Sequence, residues 1–134
     1  SKYSLKKGDV LFNRTNSPEL VGKTATYLGE QPAIFAGYLI RINHVESIVN
    51  GRYLTYYLNS PIAKQHGNRV KTDGVNQSNI NGEKLINYPF PFCTIEEQNV
   101  ITNILEKHLF MTDEVENEVE KVFDQANVLK QLIL

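Results

Sequence analysis

Two stretches of this chain combine cations with short amide and hydroxyl side chains, the residue types that can address both the phosphates and the base edges of a nucleic acid. The first, Gly8-Asp9-Val10-Leu11-Phe12-Asn13-Arg14-Thr15-Asn16-Ser17, runs from apolar residues into Arg14, Asn16 and Ser17. Arginine matches guanine and asparagine matches adenine in bidentate geometry, so a turn leaving a strand with these residues can present the right donors. The plainer reading is a surface turn with a solvated arginine. The second stretch, Arg69-Val70-Lys71-Thr72-Asp73-Gly74-Val75-Asn76-Gln77-Ser78-Asn79, offers Arg69, Lys71, Thr72, Asn76 and Gln77 around a glycine, which suits a loop entering a groove. On composition alone it equally suits a linker. Lys23, Lys64 and Lys84 are candidate phosphate contacts, which orient a protein on DNA without carrying sequence information.

Little points to catalysis or to a bound metal. His44, His66 and His108 have no spacing to Cys or to carboxylates that suggests a ligand set or a triad, and Ser60 and Ser78 lack the glycines of a nucleophile elbow. Asn87-Tyr88-Pro89-Phe90 is only partly similar to the motif of amino-group DNA methyltransferases, with Tyr88 where a proline belongs and no glycine-rich cofactor loop ahead of it. We expect no catalytic residues, no metal and no cofactor. The single cysteine, Cys93, excludes an internal disulfide and suggests a reduced, cytoplasmic setting. No apolar run approaches the ~20 residues of a membrane span.

The net charge of −1 hides a segregation. Residues 1–95 carry 11 Lys+Arg against 6 Asp+Glu, whereas residues 96–134 carry 3 against 9. Local potential, not net charge, steers a polyanion, so the first part is the candidate binding surface.

The elements that must position these residues are of two kinds. Asp9–Asn13, Lys23–Leu28 and Ala36–Ile42 have the apolar or alternating pattern of strands, with a polar loop from Thr15 to Glu19 between the first two. Arg52 to Gln65 is helical in pattern, with Pro61 able to open a second short turn after Ser60, and residues 67–82 form a long polar loop. Tyr88-Pro89-Phe90-Pro91-Phe92 must be extended, because each proline pushes its predecessor out of the helical region. Thr94 and Glu97 then form a capping box that opens a helix with no Pro or Gly up to Leu134. About 39 residues at 1.5 Å each span roughly 58 Å, more than a small domain's diameter. Its stripe of Ile101, Ile104, His108, Met111, Val115, Val119, Val122, Ala126, Leu129 and Ile133 follows a heptad spacing with one stutter between Val115 and Val119. So long a helix needs its apolar face covered, which makes Ile101, Ile104, Met111, Val115, Val119, Val122 and Leu129 candidate pairing residues. The alternative is a helix folded back on its own domain. The expected class is α+β: a small, twisted, β-rich domain with short helices over 1–93, followed by one long coiled-coil-type helix over 94–134.

Taken in order, these strings resemble the specificity subunits of type I restriction–modification systems. The resemblance lies in Gly8-Asp9-Val10-Leu11 with Arg14 and Ser17, Val21-Gly22-Lys23-Thr24-Ala25, and Tyr53-Leu54 through Tyr57-Leu58-Asn59-Ser60. It continues through Gly74, Gln77, Asn79-Ile80 and Leu85 to Pro89-Phe90-Pro91 and Glu97-Gln98 with Ile101. The family's Pro-Leu-Pro-Pro run stands here as Pro-Phe-Pro-Phe-Cys-Thr. The resemblance implies a DNA target-recognition domain that reads half of a split site, with Arg14, Asn16, Ser17, Lys23 and the segment from Arg69 to Gln77 near DNA. It also implies a spacer helix pairing antiparallel with another, and partner methyltransferase and restriction subunits that do the chemistry. Family recognition domains carry a substantial segment before the Gly-Asp-Val-Leu stretch. The chain is therefore expected to be either a fragment or a short form that assembles from two copies, the latter reading a palindrome. Two rival readings are a helix-mediated protein-interaction module without DNA binding, and the recognition fragment of a fused DNA methyltransferase.

Overall fold

The computed structural model describes residues 2–133, which are α+β, with two small antiparallel sheets, three short helices and one long one. They form two compact units, Ser1–Asn99 and Val100–Leu134, divided within the long helix.

Unit 1 is organised by strand β1 (Val10–Asn13), which lies between β3 (Thr24–Thr26) and β4 (Leu39–Ile42). The two-residue period of β1 turns Val10 and Phe12 to one face, where both are fully buried, with Phe12 opposite Thr24 on one side and Ile40 on the other. Phe12, Val21, Leu58 and Ile80 make the core, with Leu54, Tyr57, Leu85 and Tyr88 packed around them.

The expected helix over Arg52–Gln65 is two helices, α1 (Gly51–Leu58) and α2 (Pro61–Val70). Asn50 caps α1 by accepting from Arg52 N and Tyr53 N, and Ser60 caps α2 ahead of Pro61 at its first position. Asn59, between the helices, accepts from Thr24 N at 2.9 Å and donates to Thr24 O at 2.7 Å, so one side chain extends the ladder of β3. Helix α2 runs to Val70, through the first residues of the expected long loop. Gly67 suits this position because an added Cβ would lie 2.7 Å from the Tyr88 hydroxyl oxygen, which would have to shift.

The rest of that expected loop is also ordered. Strands β5 (Thr72–Asp73) and β6 (Ser78–Asn79) form a hairpin, and helix α3 (Gly82–Ile86) follows, capped by the Asn81 side chain. Thr15–Asn16, expected as loop, is a short strand, β2, paired with β6. Polar two-residue strands show no periodicity, and only their long-range partners define them.

The aromatic–proline segment is extended and gripped by α1. Tyr53 donates its hydroxyl to Pro91 O at 2.8 Å, Tyr57 donates to Pro89 O, and the Phe90 ring meets both tyrosines edge-on at 5.8 and 5.6 Å. The i, i+4 spacing of the tyrosines puts both on one helix face, which is what holding three consecutive residues requires. Tyr88 packs edge-on to Phe12 and His66, and burial, with Tyr57 nearby, pushes its hydroxyl up to about 12 from the ordinary 10.0. Its raised value makes its contribution to stability full below pH 10 and lost as pH rises towards 12. We expect unit 1 to lose stability over that window, and Tyr88→Phe to flatten the loss in urea titrations taken at successive pH values.

The long helix, α4, spans Ile95–Ile133. Its first turn carries the expected capping box. Glu97 N donates to Thr94 Oγ1 at 3.2 Å, and Thr94 N donates to Glu97 Oε2 at 2.9 Å. Gln98, which is fully buried, accepts from Asn50 N at 2.9 Å and donates to Ile48 O at 3.0 Å and Cys93 O at 2.9 Å. One amide thereby satisfies three backbone groups of two loops. In unit 2, Ile104, Met111, Val115, Val119, Val122 and Leu129 are all more than half exposed, and Ile101 is also exposed.

Candidate nucleic-acid interface

The two candidate segments, far apart in the chain, meet in one sheet. Strand β6 lies between β2 and β5, with Asn79 opposite Thr15 on one side and Thr72 on the other. Asn79 also donates its side-chain amide to Thr15 Oγ1 at 2.7 Å. The first segment is closed at its base by Gly22 N donating to Asn13 O at 2.8 Å and Asn13 N donating to Lys23 O at 3.0 Å. Gly22 has φ +87°, a left-handed conformation that favours glycine, and its α-carbon faces Phe12 and Ile80.

Within that frame each candidate has a definite setting. Arg14 is half-buried, held through its backbone by Tyr38 O and Ile80 N, and its Nε is buried with no hydrogen-bond partner. Asn16 uses its side-chain oxygen to accept from Ser17 N at 2.8 Å, and the Ser17 carbonyl accepts from Leu20 N and Val21 N, turning the chain back. Lys23 is exposed and borders a cavity of about 310 Å³ together with Glu19, Lys64, Asn68 and Tyr88. Arg69 is exposed in the last turn of α2, and Asn76 and Gln77 are exposed in the hairpin turn, where Gly74 N donates to Gln77 O at 2.7 Å. Thr72 is exposed and accepts from Lys84 Nζ at 2.6 Å, so Lys84 ties α3 to β5.

Lys71 differs from the other cations. Its side chain is only 13% exposed and its Nζ lies 3.5 Å from Asp73 Oδ1. The Ser78 hydroxyl donates to Asp73, and this bond, with Lys71 adding to it, holds the Asp73 carboxyl below the usual carboxylate range. Glu19 is likewise held low, chiefly by a backbone hydrogen bond and by the Ser17 hydroxyl, with Lys71 and Lys64 adding attraction. Lys71 therefore acts on Asp73 of its own segment and on Glu19, two residues beyond the first.

Sequence reasoning missed three features. Val75 stands fully exposed at the hairpin turn, Glu19 and Asp73 put negative charge among the cations, and β6 joins the two segments. Gly74 and Asn76 between short polar residues were the available signal for the turn. The histidines lie apart. His66 packs edge-on to Tyr88, His44 lies beside Gly51, and His108 is on α4. Among the described residues, no group of three or more His, Cys, Asp or Glu is placed to hold a metal ion, and no helix is long and apolar enough to cross a membrane.

Residues 1–122 match the model of the type I restriction modification DNA specificity domain. The chain belongs to that family. It is 34% identical over 106 residues to a curated Methanocaldococcus jannaschii protein named as the type I restriction enzyme MjaX specificity subunit. The match covers 78% of this chain and 25% of that relative, so the chain spans about a quarter of the length of the curated protein it matches.

Proposed function

We propose that the chain is a sequence-specific DNA-recognition module, without catalytic activity of its own. On this reading, residues 1–93 read part of a split target, and the helix over 94–134 is a spacer that pairs with another helix. Methyltransferase and restriction subunits then assemble around it. The sheet β2–β6–β5 supports the proposal, because it joins the segment that carries Arg14, Asn16 and Ser17 to the segment that carries Thr72, Asn76 and Gln77. Lys23, Lys64 and Arg69, all exposed, supply phosphate contacts beside it.

The direct test is retention of a randomised duplex pool on the immobilised chain at low salt, followed by sequencing of what stays bound. Enrichment of a short motif supports base reading, and a palindromic motif implies two copies. Enrichment of nothing at any salt overturns the proposal for this chain.

The two cations of the second segment should behave differently. Arg69→Ala removes an exposed charge and should lower the magnitude of the salt slope of DNA binding by about 1, at unchanged thermal stability. Lys71→Ala should instead loosen the hairpin, lowering the unfolding midpoint as well as affinity. Salt titrations beside melting curves separate the two, and identical behaviour would mean that Lys71 is not a positioning residue.

A further inference from the structure

We infer that the apolar seam of α4 is built for a helix flanked by lysine and arginine, and not for a second copy of this chain. The inference rests on the reading of α4 as a pairing element and is independent of DNA binding by unit 1.

The middle of the seam, Met111, Val115, Val119 and Val122, lines one open groove with Glu114 and Glu118. These four apolar side chains are between 51% and 63% exposed. At 3.6 residues per turn, Glu114 and Glu118 fall along one edge of the seam, and Glu116 falls along the other with Thr112 and Phe123, while Glu120 lies further round. Asp113 and Asp124 stand further round the helix. Between Asp113 and Asp124 the only cation is Lys121, and its Nζ lies 2.8 Å from Glu118 Oε1 on the same helix. Over its middle turns the groove is thus bordered by Glu114 and Glu118 on one edge and by Glu116 on the other, and the lysine within that stretch, Lys121, is engaged within α4.

A second copy brings the same edges with it. Pairing about the middle of the seam, parallel or antiparallel, sets the carboxylates of one helix beside those of the other. The residues bordering a coiled-coil seam choose the partner by charge, through attraction to the right one and repulsion of the wrong one. A helix with the same apolar pattern and basic edges covers the groove and turns every such repulsion into an attraction. The apolar seam supplies affinity for any matching helix, and its acidic borders decide which helix is taken.

The test uses the full chain and three synthetic helical peptides of equal length. One has a heptad apolar seam with Lys along both edges, one has the same seam with Glu edges, and one has the Lys edges with the seam changed to Gln. At about 50 mM salt and neutral pH, sedimentation of the chain alone should give the monomer mass. The Lys-edged seam peptide should bind about tenfold or more tighter than the Glu-edged one, and the gap should narrow at about 1 M salt, where charges are screened within a few ångströms. The double variant Glu114→Lys, Glu118→Lys should reduce or reverse the preference. A stable dimer of the chain alone at low salt would show that a second copy is the occupant, and equal binding of the two seam peptides would show that the acidic edges select nothing. Either result overturns the inference. So does binding of the seamless Lys peptide as tightly as the seam peptide, which would mean attraction between charged surfaces only. If neither seam peptide binds at any salt, the reading of α4 as a pairing element fails with the inference.

Discussion

Gln98→Ala should lower the stability of unit 1 by about 3 kcal/mol, and its melting temperature by roughly 15 °C. The amide is fully buried and satisfies Asn50 N, Ile48 O and Cys93 O, so its loss strands three part-buried backbone groups at once. Gln98→Glu should be at least as damaging despite its matching shape. It retains an acceptor for Asn50 N but sets a carboxylate against the two carbonyl oxygens of Ile48 and Cys93. Glu97, next to it, is exposed and closes the capping box, so Glu97→Ala should cost only about 1 kcal/mol. Urea unfolding of the three variants checks the order, and a Gln98→Ala midpoint equal to wild type would remove Gln98 from the core of the fold.

Val119→Lys combined with Val122→Lys should weaken pairing of α4 with a matching helix by about a hundredfold or more. Each valine gives up roughly 1.5 kcal/mol of burial in the pair and is replaced by a charge that must be desolvated. The same double variant should leave the melting of unit 1 unchanged, since both valines are already more than 60% exposed in the unpaired chain. That combination separates lost pairing from lost folding. A variant that cosediments with a Lys-edged seam peptide as wild type does would mean that the stripe is not the contact face.

What the sequence made legible follows from the range of the interactions involved. Helix α4 is written locally, in the Thr94–Glu97 box, the lack of Pro and Gly and the apolar spacing, and it begins where those signals put it. Strand β1 is legible because Val10 and Phe12 are large, apolar and two apart. Strands β2, β5 and β6 are not legible, because each has two polar residues and exists through its partners. Helix α2 ran past its expected end because Gly67 and Asn68 are weak helix formers, and tertiary contact with Tyr88 outweighs their propensity. The candidate interface was legible in residue type but not in posture. Nothing in Arg69-Val70-Lys71 says that the arginine stays in solvent while the lysine turns inward towards Asp73.

The shared middle strand sets a rule for altering what such a surface prefers. Because Asn79 is tied to Thr15 on one side and opposes Thr72 on the other, the two segments are not interchangeable parts. Grafting one of them alone from a relative leaves its new backbone against a strand matched to the old one. A one-residue insertion in either would slip the pairing and turn every neighbouring side chain to the opposite face. Changes of taste should therefore be inherited as matched sets in which residues 14–17 and 72–79 change together, and single-segment chimaeras should be the ones that lose binding outright instead of acquiring a new preference.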